Sequence, residues 1–421
     1  MNLPRILTIM GSGETAPTMI KTHRSILDRL GQSPRSVLLD TPYGFQENAP
    51  ELATRAQDYF RKSVGHEIEV AGLQEVRDAD DLALAQGIAR VRDAAYVFAG
   101  PGSPTYALRQ WSGSSVRSEI VEKLRAGGAV TFASAAALTL GRLTVPVYEI
   151  YKVGEDPYWL EGLDVLAEID LHVAVIPHYD NAEGGHHDTR FCYLGERRLR
   201  ILEQHLPQGV HVLGIDEHTG VVIDLDADTA TVVGNGSVTV RVHGESTVYP
   251  SGSELPVDAL RNRTTAGTRP VRTAAAAGTD EVAPQQPAAV ETSLAATAQR
   301  CEGDFEAALA ARDADGAARA VLELESAIHD WSADTVQSDE TDRARAALRS
   351  MVVKLAGAAS GGLQDPRTVV SPFVDALLAL RAAVRSEKRY DLSDIIRDRM
   401  LEAGVEVRDT KDGVEWVLRS A

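Results

Sequence analysis

Ser134 stands in Ala133-Ser134-Ala135-Ala136-Ala137, directly after the apolar run 129–133. Further along, the apolar run 171–176 ends in Ile176-Pro177-His178-Tyr179. A hydroxyl at the end of one strand and an imidazole at the end of another is how an α/β sheet brings a nucleophile to its base. The nucleophile's backbone is cramped and a helix starts at once, so its neighbours must be small, as Ala133, Ala135, Ala136 and Ala137 are. A Ser-Ala-rich helix start packed on the sheet has the same local sequence.

The N–H groups of Ala135 and of Gly102, in Gly100-Pro101-Gly102-Ser103, are the expected oxyanion donors; a plain tight turn is the alternative for Gly102. Glu149 lies in the apolar-aromatic stretch 145–152 and needs a partner. Orienting His178 would supply one, and an ion pair with Lys152 or an arginine would supply another. His178, Asp180, His186, His187 and Asp188 are dense in potential metal ligands, but no helical His-x-x-x-His spacing fixes a site, so no metal and no cofactor is expected.

The elements that must position these residues alternate. Short apolar runs at 6–10, 36–40, 68–70, 94–99, 129–133 and 173–176 are separated by helical patterns such as 17–30 and 49–64. This order predicts an α/β fold with a mainly parallel sheet and helices on both faces. Ligands then bind at the carboxyl ends of the strands, where Gly11–Glu14, Gly100–Pro104, Ser134–Ala136 and His178–Asp180 converge. Between Gly220 and Tyr249, short β runs broken by Gly234-Asn235-Gly236 predict an antiparallel meander at the sheet edge.

The organisation expected is an α/β domain over 1–262, a flexible linker over 263–290 poor in large apolar side chains, and a helical region over 291–421 closing in a β-hairpin. At 421 residues the chain exceeds one core. The net charge of −18 divides as −12 over 1–262, +1 over 263–290 and −7 over 291–421, so no region is a basic tail for non-specific nucleic-acid binding. Two cysteines make no disulfide framework, no run reaches 18 apolar residues, and the first residues lack signal-peptide character. A cytoplasmic home and no membrane contact are expected.

Together the N-terminal motifs resemble the dipeptidase E and cyanophycinase family of serine peptidases, which share the class I glutamine amidotransferase-like, flavodoxin-like fold. The resemblance runs over roughly 4–250. It rests on the Gly100–Ser103 turn, the Ser134–Ala137 elbow, Ile176-Pro177-His178-Tyr179, the arginines of 189–198, and Gly214-Ile215-Asp216-Glu217-His218-Thr219. It implies a triad in the order Ser134, Glu149, His178, and cleavage next to aspartyl residues with Arg190 holding a substrate carboxylate. Ala136 stands where the family has the elbow glycine.

Residues 377–418 resemble the C-terminus of bacterial cysteinyl-tRNA synthetases, through the runs 380–390, 394–398 and 401–413. The synthetase signatures His-x-Gly-His and Lys-Met-Ser-Lys are absent, so aminoacylation is not expected. The resemblance implies contact with tRNA or with a translation protein through 291–421. Nine acids balance nine bases over 376–421, which favours a packing or docking module over an RNA-binding one.

The sequence therefore predicts a serine hydrolase acting on a small peptide or amide, and a homo-oligomer. The alternative is a catalytically inactive binding protein using its C-terminal module. A third reading joins the two, hydrolysis of an aminoacyl or peptidyl bond on RNA.

Overall fold

The computed structural model describes residues 3–77, 79–184, 186–262, 293–333, 339–361, 366–410 and 413–419. The expected linker, 263–290, lies outside the described residues. The chain divides into two compact units, one of Met1–Leu294 with Ile328–Thr341, the other of Ala295–Ala327 with Asp342–Ala421.

In the first unit, β1 (Arg5–Met10), β2 (Ser36–Leu39), β3 (Glu69–Val70), β4 (Tyr96–Ala99) and β5 (Gly128–Ala133) form a parallel sheet in the order β3-β2-β4-β5-β1. A two-residue ladder pairs β6 (Leu143–Thr144) with β7 (Leu160–Glu161). Alternate side chains enter opposite cores, as period-two geometry requires. Leu7, Ile9, Val37, Leu39, Val130 and Phe132 join one cluster, whereas Ile6, Leu38, Phe98 and Ala129 join another with Ile26, Tyr59 and Phe60. Both faces are thus covered by helices, which is why these strands read as unbroken apolar runs. Within the second core, His23 is fixed between Tyr96 (2.8 Å) and the Glu14 carbonyl (2.7 Å), and burial lowers its pKa to about 4.

Two expectations about strand placement are corrected. The first concerns β8 (Val173–Ile176), which is not in the large sheet. It pairs in parallel with β9 (His211–Ile215) in a separate four-stranded sheet. The edge of β1 that might have received it is occupied by β10 (Thr219–Asp224), running antiparallel. The second concerns the meander. From β10 the chain continues to β11 (Thr229–Gly234) within the large sheet, then crosses to β12 (Ser237–Val242) and β13 (Glu245–Pro250) in the small one. It returns to the large sheet at β14 (Glu254–Pro256). The crossing is made at Gly234-Asn235-Gly236. Gly234 has φ +96°, and a β-carbon there would lie 2.1 Å from the His218 carbonyl oxygen, so only glycine fits.

The small sheet is tied to the helix Gly195–Gln204 by Arg241, whose side chain is 4% exposed. It donates to Glu203 (2.8 Å) and Glu196 (2.9 Å) and lies over the Phe191 ring.

The helices Leu294–Ala310, Ala314–Asp330, Glu340–Gly361, Pro366–Ser386 and Tyr390–Glu402, most of whose residues belong to the second unit, precede the antiparallel pair β15 (Val405–Thr410) and β16 (Gly413–Leu418). Lys411 and Asp412, between these two strands in the sequence, lie outside the described residues. Val374, Met400 and Val405 form the apolar contact between the last two helices and the hairpin. Beside it Arg381, 3% exposed, makes a two-pronged 2.9 Å ion pair with Asp409. That pairing consumes charge inside the module.

Removing one partner of a buried ion pair leaves the other charge uncompensated. Arg241→Met is expected to lower stability by roughly 3 kcal/mol, because Glu203 stays buried. Chemical denaturation of the native and variant proteins measures it.

Candidate active site

The serine turn is built by β5 and the helix that follows it without a linker, Ser134–Leu138. Ser134 is forced to φ +49°, a left-handed conformation costly for a residue with a β-carbon. Strain of this kind at a nucleophile turn swings the hydroxyl clear of the strand. The flanking alanines make it sterically feasible: Ala133, Ala136 and Ala137 are fully buried. The Ala136 methyl is accommodated within the buried turn. Its N–H donates to the Gly100 carbonyl at 3.2 Å and draws the serine turn against the glycine turn after β4.

Gly102 has φ +140°, and a β-carbon there would lie 2.0 Å from the Pro42 carbonyl oxygen. The next residue, Ser103, donates its N–H to that carbonyl and caps the helix Pro104–Trp111 by accepting from Tyr106. The glycine turn is therefore locked against the Pro42–Tyr43 backbone, with Gly102 presented beside the elbow's partner Gly100.

Ser134 Oγ lies 2.9 Å from His178 Nε2. The parallel register of β8 and β9 sets Ile176 opposite Gly214, so the residues just beyond each strand leave side by side. His178 also takes a positive φ, +47°, and its backbone is clamped by Cys192 N–H donating to its carbonyl at 3.0 Å. On its other ring nitrogen, Nδ1 meets Glu217 Oε1 at 2.7 Å. Asn181 donates to the same oxygen at 3.0 Å, and the Glu217 N–H donates to Asp180 Oδ1 at 2.7 Å.

This corrects the assignment of the acid. Glu217, not Glu149, is the carboxylate at His178 Nδ1. Glu149 opens the irregular turn Glu149–Val153, where its carbonyl receives the Gly154 and Glu155 N–H groups, and the Nδ1 position is already filled from the neighbouring strand. The segment Gly214–Thr219 is visible in the sequence as a motif, but nothing local marks its glutamate as the acid. Asn181 carries no sequence signal beyond lying near His178, and Asp180 stands out only as one of the potential metal ligands around it. Arg190 is committed through Nε (2.8 Å) and Nη2 (2.9 Å) to Asp188, which also accepts the Glu196 N–H. Among the described residues no group of three or more His, Cys, Asp and Glu side chains is placed to hold a metal ion.

The electrostatics are one-sided. Burial alone would depress the His178 pKa, but the Glu217 hydrogen bond and charge, helped by Glu14 and Glu183, outweigh it and raise it above the ordinary value. Burial conversely raises Glu217, and its contacts with His178 and Asn181 more than offset this, leaving it lowered and ionised. An imidazole with a carboxylate on Nδ1 and a hydroxyl on Nε2 has the tautomer needed to take the hydroxyl proton. The neighbouring thiol does not compete, because burial pushes the Cys192 pKa up and keeps it protonated.

A left-handed turn of three consecutive non-glycine residues, Phe191, Cys192 and Tyr193, with φ of +62°, +56° and +65°, walls one side of this group. Such conformations cost about 1–2 kcal/mol per residue. Phe191 and Cys192 are buried, and the Tyr193 hydroxyl donates to Glu183 at 2.7 Å.

The first unit has the fold of a solved peptidase from an acI-B1 Actinobacterium, with a TM-score of 0.50 and 23% identity over 61% of this chain and 98% of that one. At that identity the likeness speaks for the fold. Residues 368–416 match the family described as the cysteinyl-tRNA ligase anticodon binding domain. The chain is 45% identical over 47 residues to a cysteine–tRNA ligase of Carboxydothermus hydrogenoformans, covering 11% of this chain and 10% of that enzyme. It is 36% identical over 100 residues to the corresponding ligase of Deinococcus radiodurans, 22% of this chain and 20% of that one. The chain thus spans a tenth to a fifth of the length of these curated relatives. The fold that the N-terminal resemblance implies is thus found, and the C-terminal resemblance to cysteinyl-tRNA synthetases holds. No helix among the described residues is long and apolar enough to cross a membrane.

Two outcomes follow from the geometry. Glu217→Gln removes the charge that holds the His178 pKa up, so the imidazole titration followed by NMR should move to lower pH than in the native protein. Gly102→Ala adds a clash with Pro42 to a backbone that disfavours β-carbons. It should destabilise the protein by more than about 1 kcal/mol, read as a lower thermal midpoint.

Proposed function

We propose that the first unit is a serine hydrolase acting on an amide or ester, with Ser134 as nucleophile, His178 as general base and acid, and Glu217 as the orienting carboxylate. The observation that carries this reading is the hydrogen-bonded line Ser134–His178–Glu217, with separations of 2.9 and 2.7 Å. His178 Nε2 takes the Ser134 proton as Oγ bonds to the substrate carbonyl carbon. It then returns the proton to the leaving amine or alcohol as the tetrahedral species collapses to an acyl-serine. Water, deprotonated by the same nitrogen, releases the acid and regenerates the serine. The N–H groups of Ala135 and Gly102 are assigned to the oxyanion. The peptidase fold of the first unit agrees with the class of reaction.

The C-terminal module supports a second reading: residues 368–416 match an anticodon-binding family, so this part would contact tRNA or a protein of translation. The internal pairing of Arg381 and Arg385 with Asp409 leaves fewer free cations for phosphates and favours the protein partner. Filter binding with tRNA and a generic duplex separates the two. Binding without preference for tRNA removes the specific RNA reading.

Hydrolysis of a panel of small amides and esters tests the enzyme reading. Ser134→Ala should abolish turnover, and Glu217→Gln should lower kcat by about 10²- to 10⁴-fold. Glu149→Gln should leave kcat nearly unchanged. Because His178 must be neutral to accept the proton and its pKa is raised, kcat/KM should climb with pH through a midpoint above 6.5. A flat profile, or full activity in Ser134→Ala, would discard the mechanism.

A further inference from the structure

Glu217 is followed by a histidine that the mechanism above does not use. His218 has φ +49°, so its backbone, like that of Ser134 and His178, is held in a conformation its β-carbon opposes. Its carbonyl accepts the Asn235 N–H at 2.9 Å, and its own N–H reaches Ser12 Oγ at 3.3 Å. The imidazole lies against Gly13 so tightly that a β-carbon on that glycine would fall 2.2 Å from Nδ1. Thr18 Oγ1 is 3.2 Å from the same nitrogen.

A further contact comes from far along the chain. Trp331 opens the short turn Trp331–Ala333, in the stretch Ile328–Thr341 that belongs to the first compact unit. Its indole meets the His218 ring edge to face, with centroids 5.5 Å apart, and is only 8% exposed. A large aromatic residue buried against the side chain of a residue with a strained backbone adds contact area and an oriented ring pair. It also lies outside residues 4–250, over which the peptidase resemblance runs.

We propose that Trp331 is a positioning residue for the Glu217–His178 pair: its ring, with Gly13 and Thr18, packs around His218 and thereby holds the adjoining Glu217 against His178 Nδ1. The inference rests on the hydrolase reading for its consequence in activity, but its physical content is the set of the Glu217 carboxylate. Strained conformations persist only where surrounding contacts over-determine them. Without the indole, His218 loses one wall and can relax toward an ordinary φ, which swings the peptide plane between residues 217 and 218. A displacement of an ångström in such a constellation is enough to slow chemistry 10- to 100-fold, on the order seen when positioning groups are disturbed.

The test uses the full chain and two variants that preserve apolar bulk, Trp331→Phe and Trp331→Leu. The reporter is the low-field proton resonance of the His178 Nδ1–H bonded to Glu217, assigned by its loss in Glu217→Gln. The second reporter is the rate at which a fluorophosphonate probe modifies Ser134. Trp331→Phe retains a ring edge and should keep both signals. Trp331→Leu should broaden or lose the resonance and slow modification about tenfold, while circular dichroism shows the fold intact. A folded Trp331→Leu protein with native resonance and native labelling rate overturns the inference and leaves the hydrolase reading standing. If the resonance weakens in Trp331→Leu but Ser134 reacts in neither protein, the positioning contact stands and the hydrolase reading falls. Should Trp331→Leu not fold, Trp331→Met takes its place: a weakened resonance there, with both signals kept in Trp331→Phe, supports the inference, and a native resonance with a native labelling rate in a folded Trp331→Met protein overturns it.

Discussion

The parallel pairing of β8 with β9 is the constraint on which the site depends. With Ile176 opposite Gly214, the chain leaves the two strands in register, and His178 and Glu217 emerge as neighbours. Neither residue has another route to the other, since they are separated by the helix Gly195–Gln204 and its flanking turns. A slip of one residue in this pair would turn the side chains to the opposite face. The Tyr179 N–H donating to Ile215 O at 3.1 Å, and the Glu217 N–H donating to Asp180, extend the register past the strand ends. The sheet's geometry is thereby carried out to the reacting groups.

Beyond the strand ends the backbone is repeatedly held where side-chain-bearing residues are disfavoured. Ser134, His178, His218 and the run Phe191–Tyr193 all have positive φ. Each is fixed by close packing or backbone hydrogen bonds, and each lies in or beside the candidate site. Strain of this density needs a rigid surround, which the buried alanines of the elbow, the glycine turn at Gly102 and the Arg241 ion pairs supply. The charge distribution is equally local. A histidine raised by its carboxylate partner and a carboxylate lowered by its histidine partner favour the ion pair that forms when the serine proton is transferred.

Much of this was legible in the amino-acid sequence, for identifiable reasons. Strands β1, β2, β4 and β5 are largely apolar because both faces are buried, and that is a clear signal. Ser134 and His178 each stand directly after such a run, so their ends of the chain were visible without knowing which sheet held them. The sheet for β8 was not legible, because an apolar run says that a strand is buried and not which strand lies beside it. The acid was missed for the same cause. Glu149 looked frustrated by its apolar neighbours, whereas Glu217 sat in a motif with nothing local to mark it, and only strand pairing brings it to His178. Trp331 was beyond reach: its contact with His218 joins residues more than a hundred positions apart with no shared motif. In the C-terminal module, the helices and hairpin followed the helical spacing and the alternation of Val405, Val407 and Trp416, but the inward pairing of Arg381 with Asp409 could not be read from a balanced charge count.

The most direct measurement is mass spectrometry of the native protein after exposure to a fluorophosphonate, with peptide mapping of the adduct. An activated serine predicts one adduct, on Ser134, that disappears in His178→Ala and persists in Glu149→Gln. A folded protein that acquires no adduct, or acquires it at Ser134 equally well without His178, would contradict the account.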